Sequence, residues 1–251
     1  VAFRWWDIIV DLRGSATAYV LPGWKWVVLP GNDDEMHRVE QLGQLIGVDP
    51  APEPFVWTAP EHENRASEIL PDDGRLLLVV GPSANWIGKT WRPERFAEAI
   101  AELRAVGGPL EDANVLLVGA PNERAASEPV IASIPENRRT EIFGTEHLLT
   151  VMACLRRASL YLGNDSGLMH MAAATGNPTI GLFGPSRDEH YRPYSKWGRA
   201  VRTDWSYDKI IENRSSPLSK EVLMDTLPVE KVVSATRVLL EDYRKEEKQN
   251  G

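Results

Sequence analysis

Lys89, Asp165, Ser166 and His170 have the types and spacing for chemistry on an anion. The last three lie in residues 160–186, LYLGNDSGLMHMAAATGNPTIGLFGPS. This stretch reads as strand, polar turn, small-residue helix, turn, strand and a Gly-Pro turn. Its first apolar run ends at Gly163, and Asn164, Asp165 and Ser166 are residue types that favour helix N-caps. The Met- and Ala-rich run from Leu168 to Thr175 closes at Gly176, a residue type of helix C-termini. A helix starting here aims unpaired N–H groups above the strand tips, where α/β proteins hold phosphate. His170 falls four residues after Ser166 and three after Gly167, on the same face as the cap. Capping alone accounts equally well for Asp165 and Ser166, and a packed core histidine is the competing reading of His170.

A second loop, residues 81–91 (GPSANWIGKTW), supplies Gly81, Ser83, Asn85 and Lys89. Backbone N–H groups, a hydroxyl, an amide and one cation suit a pyrophosphate, which needs several donors and a counter-charge. An ordinary surface loop with an exposed lysine is an even alternative. The loop is not a Walker motif, which would require glycine where Ser83 stands. Residues 119–123 (GAPNE) end another strand and put Glu123 where a carboxylate commonly meets ribose hydroxyls. Residues 184–202 carry Arg187, Arg192, Lys196, Arg199 and Arg202 against Asp188 and Glu189, a basic cluster that suggests an anionic partner or else scattered solvated charges. Asp-x-Asp is absent, which disfavours a metal held by that motif. Gly163-Asn164-Asp165-Ser166-Gly167 has one residue too many for a GxSxG elbow, which disfavours a serine hydrolase.

These loops need a frame. Residues 75–81, 114–119, 160–163 and 178–183 are continuous apolar runs, and residues 93–105, 123–133, 146–157 and 166–175 between them read as helices. That alternation predicts a parallel sheet covered on both faces, a Rossmann-like domain, with both glycine-bearing loops on one edge. Upstream, residues 6–12 and 25–29 read as strands, 37–46 as a helix and 49–60, with four prolines, as a linker. These pieces are too few for a complete doubly wound domain, so the expectation is the tail of a first domain whose beginning is absent. Residues 229–247 read as a long charged helix with Val232, Val233, Leu239 and Leu240 on its apolar side.

The 251 residues are 43% hydrophobic, enough for a substantial core. A net charge of −8 argues against general nucleic-acid binding. The single cysteine, Cys154, allows neither an internal disulfide nor a cysteine metal cage and reads as a small buried apolar residue. No apolar run approaches the roughly 18 residues of a membrane span, and no signal peptide is visible, so the expectation is a soluble cytoplasmic protein.

The run GNDSGLMHMAAATGNPTIGLFGPS closely resembles the signature of the family 9 glycosyltransferases, the ADP-heptose:lipopolysaccharide heptosyltransferases. PSANWIGKTWRPERFAEAI, NVLLVGAPNE, FGTEHLLTVMACLRRASLYLGNDSG and LMDTLPVEKVVSATRVLL extend the resemblance, as do WWDIIVDLRGS and HRVEQLGQLIGV upstream. It implies a GT-B fold of two Rossmann-like domains with the active site in their cleft. Residues 1–70 would be the acceptor-side remnant and linker, 71–228 the nucleotide-sugar-binding domain and 229–251 the closing crossover helix. The implied reaction transfers a sugar, heptose by family, from an ADP-sugar donor to a lipopolysaccharide-core or related glycolipid acceptor, with inversion, without a cofactor or a tightly held metal. The implied place is the cytoplasm, including the cytoplasmic face of the inner membrane. Carried over by position, Lys89 pairs with the diphosphate, helped by Ser83 and Asn85. Asp165, Ser166, Gly167 and His170 take the donor sugar and phosphates, and Glu123 the ribose. The family's general-base Asp, in a Gly-Asp turn before an LTTP-like segment, has no counterpart in this chain, and Asp11 is not a positional match. This leaves two other classes open: a nucleotide-sugar-binding module without turnover, and a GT-B sugar-nucleotide epimerase.

Overall fold

The computed structural model describes residues 4–29, 31, 35–215 and 221–250. The chain forms two compact units, Val1–Pro54 with Glu189–Tyr191, and Phe55–Asp188 with Arg192–Gly251. In the first, β1 (Trp6–Asp11), α1 (Thr17–Val20), β2 (Gly23–Val28) and α2 (Arg38–Ile46) follow in order. β1 and β2 pair in parallel, with Ile9 opposite Trp26 and Val10 opposite Val27. The turn after β1 is closed by Asp11, whose carboxylate accepts from the Arg13 N–H at 2.9 Å, the Ser15 N–H at 2.7 Å and the Ser15 hydroxyl at 2.9 Å. The Arg13 N–H above all, then the Ser15 donors, hold that carboxyl below the usual range against an opposing effect of burial. α2 starts at His37, whose Nδ1 accepts from the Val39 N–H at 3.1 Å, and stops at Gly47, whose φ of 76° few other residues adopt.

The second unit contains α3 (Pro60–Ile69), β3 (Leu77–Gly81), α4 (Pro93–Arg104), β4 (Asn114–Gly119), α5 (Glu128–Ser133), β5 (Arg139–Phe143), α6 (Leu148–Leu155), β6 (Leu160–Asn164), α7 (Gly167–Ala173), β7 (Thr179–Phe183), α8 (Asp188–Tyr191, its last three residues grouped with the first unit), β8 (Gly198–Arg202), α9 (Tyr207–Asn213) and α10 (Val229–Asn250). Its six strands lie in the order β5-β4-β3-β6-β7-β8, all parallel. Apolar residues alternate across the sheet into two cores. Leu78, Val80, Leu117, Leu160 and Leu162 pack against Phe96, Ile100 and Leu103 of α4, Ile131 of α5 and Val232, Val233, Leu239 and Leu240 of α10. Leu77, Val79, Leu116 and Tyr161 pack on the other face against Ala66 of α3, Cys154 of α6 and Met169 of α7. Both faces are therefore covered, as continuous apolar strands require.

Several elements differ from the sequence expectation. Residues 60–69 form α3 and, through Ala66 and Leu70, join the second unit's core rather than continuing a linker. The helix expected over 123–133 is broken into 3₁₀ turns Pro121–Glu123 and Ala125–Ser127 before α5, because the Glu123 carboxylate folds back to the Ala120 N–H and Pro129 enters at the first turn of α5. β5 and β8, RTEIF and GRAVR, are strands at the two sheet edges, where charged residues reach solvent. Cys154 is fully buried, and burial pushes its thiol up to about 11. Among the described residues no helix is long and apolar enough to cross a membrane.

Candidate active site: the switch-point edge of the second unit

The sheet order reverses between β3 and β6: the chain runs outward through β4 and β5, then returns to lay β6 on the other side of β3. Loops leaving two such strands diverge and open a crevice at their carboxyl ends, the usual ligand position in open α/β sheets. The loop after β3 carries Ser83, Asn85 and Lys89; that after β6 carries Asp165, Ser166 and Gly167, with His170 one turn into α7.

Both loops are anchored from below. The 3₁₀ turn Ile87–Lys89 sets the Lys89 backbone, with its N–H donating to Trp86 O at 3.0 Å. Gly88 lets the turn pass under the Trp86 ring, since a Cβ there would sit 2.6 Å from that ring and force it to shift. Trp91 is fully buried, donates its backbone N–H to Asn164 Oδ1 at 2.9 Å and its indole N–H to Leu227 O at 3.0 Å. Arg92 forks onto Asp225 at 2.5 and 2.6 Å. Asn164, the last residue of β6, thus ties the two loops together.

Lys89 Nζ reaches across the crevice to Asp165 Oδ2 at 2.5 Å, and the Ser186 hydroxyl donates to the same oxygen at 2.8 Å. The Asp165 side chain is 6% exposed and that of Lys89 26%. One N–H of the ammonium is thereby committed, which leaves two further donors on a side chain that is partly exposed. His170 Nε2 lies 4.0 Å from Asp165 Oδ1, on a side chain still 43% exposed. Crowding by the surrounding chain lowers the His170 pKa; the Asp165 charge opposes that shift and the Lys89 charge reinforces it. The ring is thus held toward its neutral form but remains reachable by a ligand.

On the β4 side, the Ser83 hydroxyl donates to Glu123 Oε2 at 2.7 Å, an oxygen that also accepts from the Ala120 N–H at 2.8 Å. Ser83 is therefore coupled to the carboxylate, while Asn85 is exposed further along the loop. Lys89, Asp165 and His170 form one contiguous group, and Ser83 with Glu123 a second at the neighbouring strand end.

Helix capping does not explain the polar run. The side chain of Ser166, the N-cap of α7, accepts no bond from the helix, and α7 is only seven residues long, shorter than expected from residues 166–175. The basic cluster of residues 184–202 does not converge either. Arg202 pairs with Asp188 and donates to Gly184 O, Arg187 pairs with Asp208 and lies over the Tyr207 ring, Lys196 pairs with Glu246, and Arg199 caps backbone carbonyls. Arg202, Arg187 and Lys196 are thus paired with carboxylates within the unit. Sequence reasoning did not single out Asn164 and Ser186 as parts of the site. Both lie within the polar and Gly-Pro turns already noted, but their partners are distant in sequence.

The second unit is a doubly wound α/β domain with a lysine–aspartate–histidine group at its switch point. Residues 36–218 match the model of glycosyltransferase family 9 (heptosyltransferase), and the chain belongs to that family. It is 24% identical over 195 residues to lipopolysaccharide heptosyltransferase 2 of Salmonella typhimurium, covering 74% of this chain and 55% of that protein. It is 30% identical over 166 residues to lipopolysaccharide heptosyltransferase 3 of Escherichia coli, covering 65% and 46%. The chain thus spans about half the length of the curated relatives it matches. Among solved structures, a family 9 glycosyl transferase from Veillonella parvula superposes with a TM-score of 0.76 at 23% identity, covering 94% of this chain and 74% of that one. The ADP-heptose lipopolysaccharide heptosyltransferase II of E. coli superposes at 0.72 and 19%, covering 95% and 77%. The fold is of the GT-B type, a Rossmann-like parallel-sheet unit accompanied by a second α/β unit.

Proposed function

We propose that the second unit is the donor-binding part of a glycosyltransferase that uses an ADP-sugar, heptose by analogy with its relatives, and that the first unit belongs to the acceptor side. The observation that carries this reading is the pairing of Lys89 with nearly buried Asp165 at the switch point, with His170 alongside. The donor diphosphate takes the free N–H donors of Lys89, with Asn85 and the Ser166 hydroxyl adding neutral ones. Asp165 accepts from hydroxyls of the donor sugar beside Gly167, and Glu123 from the ribose, replacing its bond from Ser83.

Transfer forms a bond between an acceptor hydroxyl oxygen and the anomeric carbon, on the face opposite the leaving group, and breaks the bond from that carbon to the diphosphate. The leaving diphosphate gains negative charge as the bond lengthens. Lys89 stabilises that state more than the ground state, and a His170 imidazolium formed against the diphosphate adds to it. In this reading these two cations do the work a metal does elsewhere. The acceptor hydroxyl's proton passes to a base that this reading assigns to the acceptor side. Asp11 is unsuited to the task, since three hydrogen bonds hold it as a weak base. The acceptor is a lipopolysaccharide-core glycolipid by the same analogy, met at the cytoplasmic face of the inner membrane.

Calorimetric titration with ADP and with an ADP-sugar tests the assignment. Lys89→Met loses a charge-assisted contact and leaves Asp165 facing the phosphates, so ADP affinity falls at least about tenfold. Asp165→Asn weakens the ADP-sugar but leaves ADP unchanged or tighter. Unaltered ADP affinity in Lys89→Met overturns the site.

A further inference from the structure

Beneath the crevice lies a group that none of these roles uses. Tyr161 is 1% exposed in β6, and neither its hydroxyl nor the buried Ser166 hydroxyl has a hydrogen-bond partner in acceptable geometry. A buried orphan hydroxyl is costly, and natural folds retain few of them. The sequence makes room for this one. Gly81 and Gly163 face each other across β3 and β6, and a Cβ on either would lie 2.3 or 2.5 Å from the Tyr161 oxygen. The phenol therefore runs up the sheet into a notch at the carboxyl ends of the two switch-point strands, next to the start of α7. Burial raises the phenol's pKa, the Ser166 hydroxyl is close enough to oppose that slightly, and the Glu123 charge reinforces it. The phenol is thus a hydrogen-bond donor at any working pH.

We propose that Tyr161 is a positioning residue for the donor site, acting through Ser166. The Tyr161 O–H donates to Ser166 Oγ, which orients the Ser166 O–H outward to donate to a ligand oxygen. Ser166 can take both roles, because one hydroxyl accepts and donates at once and its rotamers are one bond rotation apart. The Ser166 O–H needs an acceptor beyond the pair, and a bound diphosphate supplies it. The fold then carries an unsatisfied hydroxyl whose cost is recovered only with ligand present.

This rests on the donor-site reading, and two opposed measurements test it. Tyr161→Phe deletes only the orphan oxygen. Urea unfolding of the ligand-free variant is expected at a higher midpoint than wild type, while calorimetry shows ADP bound about five-fold more weakly, the equivalent of one neutral hydrogen bond. A residue that merely packs would not move the two quantities in opposite directions. Ser166→Ala also weakens ADP, and adding Tyr161→Phe to it produces no further loss. Unchanged ADP affinity in Tyr161→Phe, a lowered midpoint, or an undiminished five-fold loss in the Ser166→Ala background each overturns the relay. Failure of the wild-type chain to bind ADP overturns instead the donor-site reading on which it stands.

Discussion

Replacing Lys89 by methionine keeps an apolar stem and deletes one charge, and its stability cost can be worked from the site. The Asp165 carboxylate, 6% exposed, accepts from Lys89 Nζ at 2.5 Å and from Ser186 Oγ at 2.8 Å. Without the lysine it keeps one neutral donor in a largely desolvated position. Removing one member of a buried pair costs about 3–5 kcal/mol, mainly for the charge left behind. Lys89 is 26% exposed, so its departure admits water and the expected loss sits at the low end, about 3 kcal/mol. Asp165→Asn is not the mirror image. It strands an ammonium that already touches solvent, and its amide oxygen still accepts from Ser186, so the loss is about 1–1.5 kcal/mol. Lys89→Met with Asp165→Asn leaves no stranded charge, and the pair should be non-additive by at least about 1.5 kcal/mol. Urea unfolding of the four chains at pH 7 gives the cycle. Equal losses in the two single variants, or additivity within about 0.5 kcal/mol, would refute the view that the buried carboxylate is the costly partner.

His170 provides a pH test. Its folded pKa is depressed, so neutral His170 contributes stability that is complete above the unfolded value of about 6.5 and is lost as pH falls through the folded value. Wild type should therefore lose more stability than His170→Asn between pH 7 and 5. ADP, which favours the imidazolium, should bind with proton uptake, read from calorimetry in buffers of different ionisation enthalpy; uptake persisting in His170→Asn would exclude this residue as the acceptor. Gly81→Ala tests the notch: its methyl would lie 2.3 Å from the Tyr161 oxygen but 3.2 Å from Cζ. A loss of about 1–3 kcal/mol by thermal unfolding is expected, with most of it recovered when Tyr161→Phe is added. Absence of that rescue would mean the strain lies elsewhere.

The central part of the fold was legible because its signal is local. RLLLVVG, NVLLVG and LYLG are buried on both faces, so they are apolar throughout, and Pro93 and Gly176 mark helix ends within a turn of where they occur. The edge strands were not, because RTEIF and GRAVR need bury only part of their length and carry charges like any loop. The short polar run Asn164-Asp165-Ser166 read equally as a helix cap and as a ligand contact, since both uses need the same oxygen-bearing side chains.

By itself the sequence determined that two glycine-bearing loops leave parallel strands at one edge, and which residues on them could meet an anion. Only the tertiary structure decided that β6 lies against β3, which sets Lys89 on Asp165 across 76 positions of chain and Ser83 on Glu123 across 40. It also decided that Arg202, Arg187 and Lys196 of the basic stretch pair with Asp188, Asp208 and Glu246. The physical reason is the same in each case. Periodicity and turn chemistry act within a few residues and are written in the order of the chain. Strand order and charge pairing depend on which distant segments pack together, and no local pattern encodes that.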